Sequence, residues 1–225
     1  MPLPRLAGAA RLATSRGTGF TVAASLHSSY TSSDVRERQK PPTVHCGVGS
    51  LTNKQVGVLK GMIAGLAITV LLISVAILGV LDPFLPATST GSASTRALLW
   101  DTLVVACLAI NIAMLARHRF FTPADIDGGG LSTGTPTAHL LQSMLQNTLE
   151  QAALALGVHA VWASAMPQTW QAAIPVASLL FVTGRVMFWR GYARGASARA
   201  LGFALTFYPS VVMLLMIAAH LVVGR

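Results

Sequence analysis

The stretch GMIAGLAITVLLISVAILGVL, residues 61–81, runs for 21 residues without a charged side chain. About 20 apolar residues in a helix are enough to cross the hydrocarbon core of a bilayer. Lys54 and Lys60 flank the start of the stretch, and Asp82–Pro83 follows its end. Proline cannot continue a helix, so the sequence predicts one transmembrane helix that stops there.

The composition of the whole chain agrees with a membrane protein. Of 225 residues, 53% are hydrophobic and 10% are charged, whereas soluble domains carry about 25% charged residues. The net charge of +9 comes from basic residues that cluster between apolar runs, as in the loops of membrane proteins. The sequence shows no zinc-ligand spacing and no basic run interleaved with aromatics, which argues against a metal site and against nucleic-acid binding. Cys46 and Cys107 lie 61 residues apart, and Cys107 falls inside an apolar run, so we expect no structural disulfide between them.

Four further apolar runs follow at about 97–116, 138–164, 171–193 and 200–224. They predict an all-α membrane protein, a four-helix bundle preceded by one additional transmembrane helix. The expected organisation is a disordered tail at 1–55, the additional helix at 56–82, a linker at 83–96 and the four-helix domain at 97–224. The basic residues before the first helix, near 117 and at 190–199 then share one side. By the positive-inside rule this side faces the cytoplasm or the matrix.

The N-terminal tail permits two interpretations. Arg5, Arg11 and Arg16 stand among small and hydroxylated residues, as in a mitochondrial presequence. The same composition also fits a bacterial tail or a start codon assigned too early. We therefore expect the bacterial inner membrane, with a mitochondrial membrane as the alternative.

Polar residues recur inside the run at 138–164. His139, Gln142, Gln146 and Glu150 are three or four positions apart, so they share one helix face. A charged side chain at membrane depth costs at least about 2.5–3.5 kcal/mol and needs a partner. Arg185, in the next run, is the predicted counter-ion of Glu150. This pair is either a structural device that fixes helix register or one wall of a ligand pocket, and the spacing does not separate the two.

Two groups of residues near the helix ends receive simpler interpretations. His159 and Trp162 are expected at the outer membrane interface, where amphipathic rings are common. His118 is expected to be solvated in the loop after the second run, and Asp125 is expected to belong to a turn beside three glycines.

Three motifs resemble the MAPEG family, the membrane-associated proteins in eicosanoid and glutathione metabolism. They are NTLEQ at 147–151, GRVMFWRGYARGASAR at 184–199 and ALTFYP at 204–209. The loop RHRFFTPADIDGGG at 117–130 is similar to the first loop of bacterial-type members. The resemblance covers 97–224 and implies a homotrimer, with glutathione at the subunit interfaces near the cytoplasmic side.

The resemblance also implies roles for individual residues. Arg199 matches the family arginine that stabilises the glutathione thiolate, and this is the expected catalytic residue. Asn147 and Glu150 match positions that hold the tripeptide. The remaining expected glutathione-binding residues are the arginine and tyrosine of the third family helix, the basic rim of the site and a neighbour on the polar stripe: Arg185, Tyr192, Arg117, Arg194 and Gln146.

The implied activity is a glutathione-dependent transferase or peroxidase that acts on small lipophilic electrophiles from the surrounding lipid. The alternative is a non-catalytic membrane protein that retains the bundle for packing or assembly. Glutathione users of the family commonly carry arginines where this chain has Ser143 and Gln146. Prostaglandin-synthase-like members have serine and tyrosine where it has Ala200 and Phe203, so prostaglandin isomerase activity is not expected.

Overall fold

The structure is a computed structural model that describes residues 51–81, 92–129 and 131–223. The described residues form six α-helices and two short 3-10 turns, without a strand, which confirms the predicted all-α class. The helices are α1 (Asn53–Ile77), α2 (Ala93–Leu99), α3 (Thr102–Phe121), α4 (Pro136–Ala165), α5 (Ala173–Tyr192) and α6 (Ala196–Val223). Most of the predicted tail, 1–50, and of the predicted linker, 82–91, lies outside the described residues.

Among the described residues, four helical stretches are long and apolar enough to cross a membrane. They are Asn53–Ile77, Ser94–Phe121, Gln168–Tyr192 and Ala196–Val223. Helix α4 has 30 residues, about 45 Å of helix, and is long enough as well. Its polar stripe lowers its hydropathy, so length rather than composition identifies it as the fifth predicted span.

The first helix begins earlier than the apolar run that predicted it. The Thr52 side chain accepts a hydrogen bond from the Gln55 backbone N–H (3.3 Å), and the Gln55 side chain accepts one from the Thr52 N–H (2.8 Å). This capping box satisfies two backbone donors at the helix start. The helix ends at Ile77, before Gly79, whose φ is +73°. Hydrophobicity therefore marks the membrane part of the helix, and capping sets its start.

Helices α5 and α6 approach so closely that only glycine fits between them. A Cβ on Gly184 would lie 2.7 Å from the carbonyl oxygen of Gly202, and a Cβ on Gly202 would lie 2.5 Å from the backbone nitrogen of Phe188. Small residues permit this approach in membrane bundles. The contact fixes the distance between the side chains that α5 and α6 present to the bundle interior.

Helix α1 packs along α6 through a second row of small residues. Gly57, Gly61 and Gly65 of α1 face Ser197, Ala200 and Ala204 of α6, respectively. The row has the G-x-x-x-G spacing that lets two transmembrane helices meet backbone to backbone. The other side of α1 is exposed and apolar, as at Ile63 and Leu71, so it faces lipid.

We expect Gly65→Ala to weaken the attachment of α1. The added Cβ would collide with the Cβ of Ala204, and overpacking of this kind costs about 1–3 kcal/mol. The midpoint of thermal unfolding in detergent should fall. Gly157→Ala is the matched control, because a Cβ there meets nothing within 4 Å. Equal midpoints for the two variants would contradict the close packing of α1 on α6.

Candidate functional site

A cavity of about 340 Å³ lies where α1, α4, α5 and α6 meet. It brings together three residues that the sequence placed in one site, Asn147, Tyr192 and Arg199. The rest of its lining is apolar and comes from α1, α5 and α6: Val58, Met62, Phe188, Ala196, Ala200 and Phe203. The cavity lining thus combines polar groups from α4, α5 and α6 with apolar side chains.

Tyr192 and Arg199 are held against each other by the connection between α5 and α6. Helix α5 ends at Tyr192, the chain reverses at Gly195 with a φ of +101°, and α6 begins at Ala196. The guanidinium carbon of Arg199 then lies 4.4 Å from the centroid of the Tyr192 ring. Such a cation–π contact orients the guanidinium without neutralising its charge. Its charge is therefore available to an anion in the cavity.

Arg185 lies behind the cavity and is fully buried. It donates hydrogen bonds to the side-chain oxygens of Asn147 (2.8 Å), Thr148 (3.4 Å) and Thr206 (2.6 Å). Its guanidinium carbon also lies 4.5 Å from the centroid of the Phe188 ring. Arg185 therefore links α4, α5 and α6, and it positions the Asn147 amide at the cavity.

The predicted ion pair between Glu150 and Arg185 is wrong. No carboxylate of the described residues lies within salt-bridge distance of Arg185. Glu150 is exposed and accepts a hydrogen bond from Gln146 (2.8 Å). The reason is helix geometry: Arg185 contacts Thr148, and Glu150 stands about 200° around the helix from Thr148, at about 100° per residue. Glu150 consequently points away from the interior of the bundle.

The structure does not bring the four arginines predicted for the site to one cavity of the chain; they are Arg117, Arg185, Arg194 and Arg199. Arg117 borders a different cavity, of about 540 Å³, with His118 and Phe121 among its other lining residues. Arg194 is exposed, and its Nε donates to the backbone carbonyl of Arg190 (3.1 Å). Of the predicted arginines, Arg199 lines the cavity and Arg185 supports it from behind.

A buried polar cluster at the opposite end of the bundle has no counterpart in the sequence predictions. Oδ1 of Asp101 lies 2.6 Å from Nδ1 of His159 and accepts a hydrogen bond from the Ser178 hydroxyl at 3.0 Å. All three side chains are buried, and so is Trp162. His159 and Trp162 therefore face the interior of the bundle, and their depth near the outer interface stays a prediction. The available signal was Asp101 itself, a carboxylate inside an apolar run.

The carboxylate of Asp125 holds the loop after α3 in place through three hydrogen bonds. Asp125 accepts hydrogen bonds from the Thr135 hydroxyl (2.6 Å), from the Thr135 N–H (2.7 Å) and from Nε2 of His118 (2.9 Å). Asp125 is buried, so His118 is not simply solvated as the sequence suggested. The turn predicted at Asp125 is confirmed as a 3-10 turn, Pro123–Asp125. Within the described residues, no group of three or more His, Cys, Asp or Glu side chains could hold a metal ion.

Acid should loosen this loop. The Thr135 hydroxyl is the main cause that lowers the pKa of Asp125; the Thr135 N–H and His118 lower it further, against an opposing effect of burial. A lowered folded pKa means that the stabilisation is complete above the ordinary value of about 3.9 and is lost as the pH falls through the folded value. Amide exchange of residues 122–136 should therefore rise below about pH 4.

Two carboxamide variants test that assignment. Asp125→Asn should raise amide exchange in the loop at pH 7 and remove its rise in acid. Asp127→Asn should leave both unchanged, because Asp127 is exposed and is matched in charge and position. An acid response that survives Asp125→Asn would refute the assignment.

Comparison with known proteins places most of the helical region in one family. The model described as MAPEG family matches residues 97–219, which is more than half of the chain. The match begins in α2 and ends within α6, so it excludes α1. No curated protein and no solved structure matches the chain.

Proposed function

The chain belongs to the MAPEG family and is an integral membrane protein; from that premise we propose that it is a glutathione-dependent transferase or peroxidase. Its second substrate is a small lipophilic electrophile that enters from the bilayer. The observation that carries the proposal is the cavity in which Arg199 rests on Tyr192 beside Asn147. A cation held at a partly apolar cavity is the arrangement that activates a thiol for attack.

The residues present fit glutathione. The tripeptide carries two carboxylates and is a net anion, which the Arg199 guanidinium attracts. The side-chain carbonyl of Asn147 is engaged by Arg185, so its amide nitrogen remains to donate to a ligand carboxylate. A cavity of about 340 Å³ falls at the lower end of the range for small-molecule sites, about 300–1,000 Å³.

Glutathione supplies a thiol, and Arg199 prepares that thiol for attack. The thiolate is the nucleophile, and a guanidinium within reach favours it over the neutral thiol. Tyr192 keeps the guanidinium in place through the ring contact, and Arg185 keeps Asn147 in place through its hydrogen bond. The apolar side chains of the cavity lining exclude water and receive the electrophile.

We further propose that the active form is a homotrimer. Gln146 and Glu150 are exposed about half-way along α4, and an isolated protomer would present this carboxylate to lipid at a high cost. A neighbouring protomer removes that cost and can bring Arg117 toward the cavity of its neighbour. We expect native mass spectrometry in mild detergent to show three chains per particle. Glu150→Leu should change the fraction of chains that assemble as trimers. A chain that remains a monomer would contradict this assembly.

One observation favours a second function, a non-catalytic bundle. Both terminal nitrogens of Arg185 are used by side chains of the same protomer. An arginine engaged in this way acts as a structural link between helices and has no need of a ligand. In this case the fold is retained for packing or for assembly with a partner.

Thermal unfolding in detergent with added glutathione separates the two functions. A ligand at 100 times its Kd stabilises the folded state by about 2.7 kcal/mol, so millimolar glutathione should raise the unfolding midpoint. Arg199→Gln should reduce this rise. Arg190→Gln should not, because Arg190 carries the same charge near the same connection, in the last turn of α5, but is exposed and outside the cavity. An unchanged midpoint at millimolar glutathione would favour the non-catalytic bundle.

A further inference from the structure

Helix α1 lies outside the family match and nevertheless lines the candidate site. The match begins at residue 97, whereas Val58 and Met62 of α1 line the same cavity as Arg199. The matched helices therefore leave one side of this cavity to a helix that lies outside the family match. The question is what α1 contributes there.

The packing of α1 on α6 explains why Val58 and Met62 reach the cavity. Gly57 and Gly61 bring the two backbones together, since a Cβ on Gly61 would lie 2.9 Å from the Cβ of Ala200. The Ser197 hydroxyl also donates to the backbone carbonyl of Lys54 (3.1 Å), at the start of α1. Val58 and Met62 each follow one of these glycines, so they stand beside the contact row and border the cavity.

The chemistry of the lining differs between the helices. The polar residues Asn147, Tyr192 and Arg199 come from α4, α5 and α6, and the side chains of α1 contribute nothing that can bind a charged group. Met62 offers a flexible and polarisable side chain that adapts to ligands of different shape. Val58 adds a stiff, branched surface. The α1 side of the cavity therefore suits an alkyl or aryl group.

We propose that α1 forms the apolar wall of the substrate pocket, and that Val58 and Met62 select the apolar group of the lipophilic substrate. The selection by size rests on the proposed function, because it presumes that the polar residues of the lining hold glutathione. The placement of α1 beside a pocket that a water-soluble reagent can reach does not depend on that function. These two parts are tested separately.

Cysteine labelling tests the placement. In a Cys46→Ser background, Met62→Cys and Ile63→Cys are compared for their reaction with a sulfonated maleimide in detergent. Ile63 is the matched control, because it is the next residue on α1 and is exposed on the lipid side. The buried Cys107 stays in place and gives the background rate.

The cysteine at position 62 should react at least about tenfold faster than the one at 63, and Arg199→Gln should slow it, because the arginine attracts the anionic reagent and favours the thiolate. Val58→Cys provides a second variant with the same expected pattern if Met62→Cys does not fold. Equal rates at 62 and 63 would overturn the placement, with or without glutathione binding.

A series of S-alkyl glutathiones tests the selection. Wild-type protein should bind longer alkyl chains more tightly, as read from the unfolding midpoint. In the double variant Val58→Ala/Met62→Ala, the preference for long over short alkyl chains should fall by on the order of tenfold, since the removed side chains contribute apolar contact area. Its midpoint shift with glutathione itself should stay unchanged, and Ile63→Ala should behave as wild type.

The outcomes distinguish the two proposals. A normal glutathione shift with an unaltered alkyl preference in the double variant would overturn the selection by α1 and leave the proposed function intact. Absence of any glutathione shift would sink the proposed function and the selection that depends on it. The labelling result would then still decide whether α1 lines the pocket.

Discussion

Arg199→Gln is expected to lower the rate constant of glutathione transfer by about 30-fold at pH 7, because a thiol with the ordinary pKa of about 8.5 is only about 3% ionised at that pH. The guanidinium lies against the Tyr192 ring at the cavity, where the proposed function assigns it the role of favouring the thiolate. Without it, the pKa of the bound thiol should return to the ordinary value of about 8.5. The measurement is the pH profile of single-turnover transfer to an electrophile such as an aryl halide.

The pH dependence of the rate constant tests whether Arg199 acts by ionising the thiol. On the proposed function the wild type holds the thiol as a thiolate near neutral pH, so its rate constant should change little as the pH rises. In Arg199→Gln the rate constant should rise tenfold per pH unit until the pH passes the thiol pKa. The ratio of the wild-type rate constant to that of the variant should therefore shrink as the pH rises to 9. Arg199→Lys should be intermediate, because it keeps the charge but not the planar guanidinium. A constant ratio across this range would mean that Arg199 positions the ligand instead of ionising it.

The helices could be predicted from the sequence because each apolar run is close to the length that a bilayer demands. The predicted run at 171–193 became α5, Ala173–Tyr192, and the predicted run at 200–224 became α6, Ala196–Val223. The family match over 97–219 confirms the resemblance that the motifs carried. Tyr192 and Arg199 meet because the six residues between them cover the end of α5, a glycine turn and the start of α6.

What failed was the prediction of pairs between helices. Spacing along α4 placed Asn147 and Glu150 on one broad face, but it could not tell which of them faces Arg185. The structure gives that contact to Asn147 and leaves Glu150 on the surface of the bundle. A difference of one helix turn in register changes which side chain of α4 contacts Arg185. Register depends on close contacts between helices, such as that of Gly184 with Gly202, and these two residues are 18 positions apart in the sequence.

The role of α1 was missed for a related reason. The spacing of Gly57, Gly61 and Gly65 is visible in the sequence, and it indicates a helix contact without naming the partner. The partner row on α6 has Ser197, Ala200 and Ala204, small residues that are unremarkable in any membrane helix. The two rows are about 140 positions apart, from 57 to 197, and only the fold brings them together.

The cluster of Asp101, His159 and Ser178 was hidden by the same separation, and it has the largest expected influence on stability. Asp101 is 58 positions from His159 and 77 from Ser178. The Nε2 atom of His159 has no hydrogen-bond partner within the described residues. Its contact with Asp101 is therefore the polar interaction that stabilises this buried ring, and the carboxylate depends on the ring in return.

His159→Leu is expected to lower the free energy of unfolding by about 3–5 kcal/mol, because removing one member of a buried pair leaves the other without compensation. The remaining carboxylate of Asp101 would keep one hydrogen bond, from Ser178, and would lose the one that it shares with His159. The double variant Asp101→Leu/His159→Leu should lose less than the sum of the two single variants, since neither polar group is then left alone. Denaturation in mixed micelles measures all three, with His220→Leu, an exposed histidine on α6, as the control. Additive losses would show that the two side chains act independently, and that packing of the ring, rather than its hydrogen bond to Asp101, stabilises this end of the bundle.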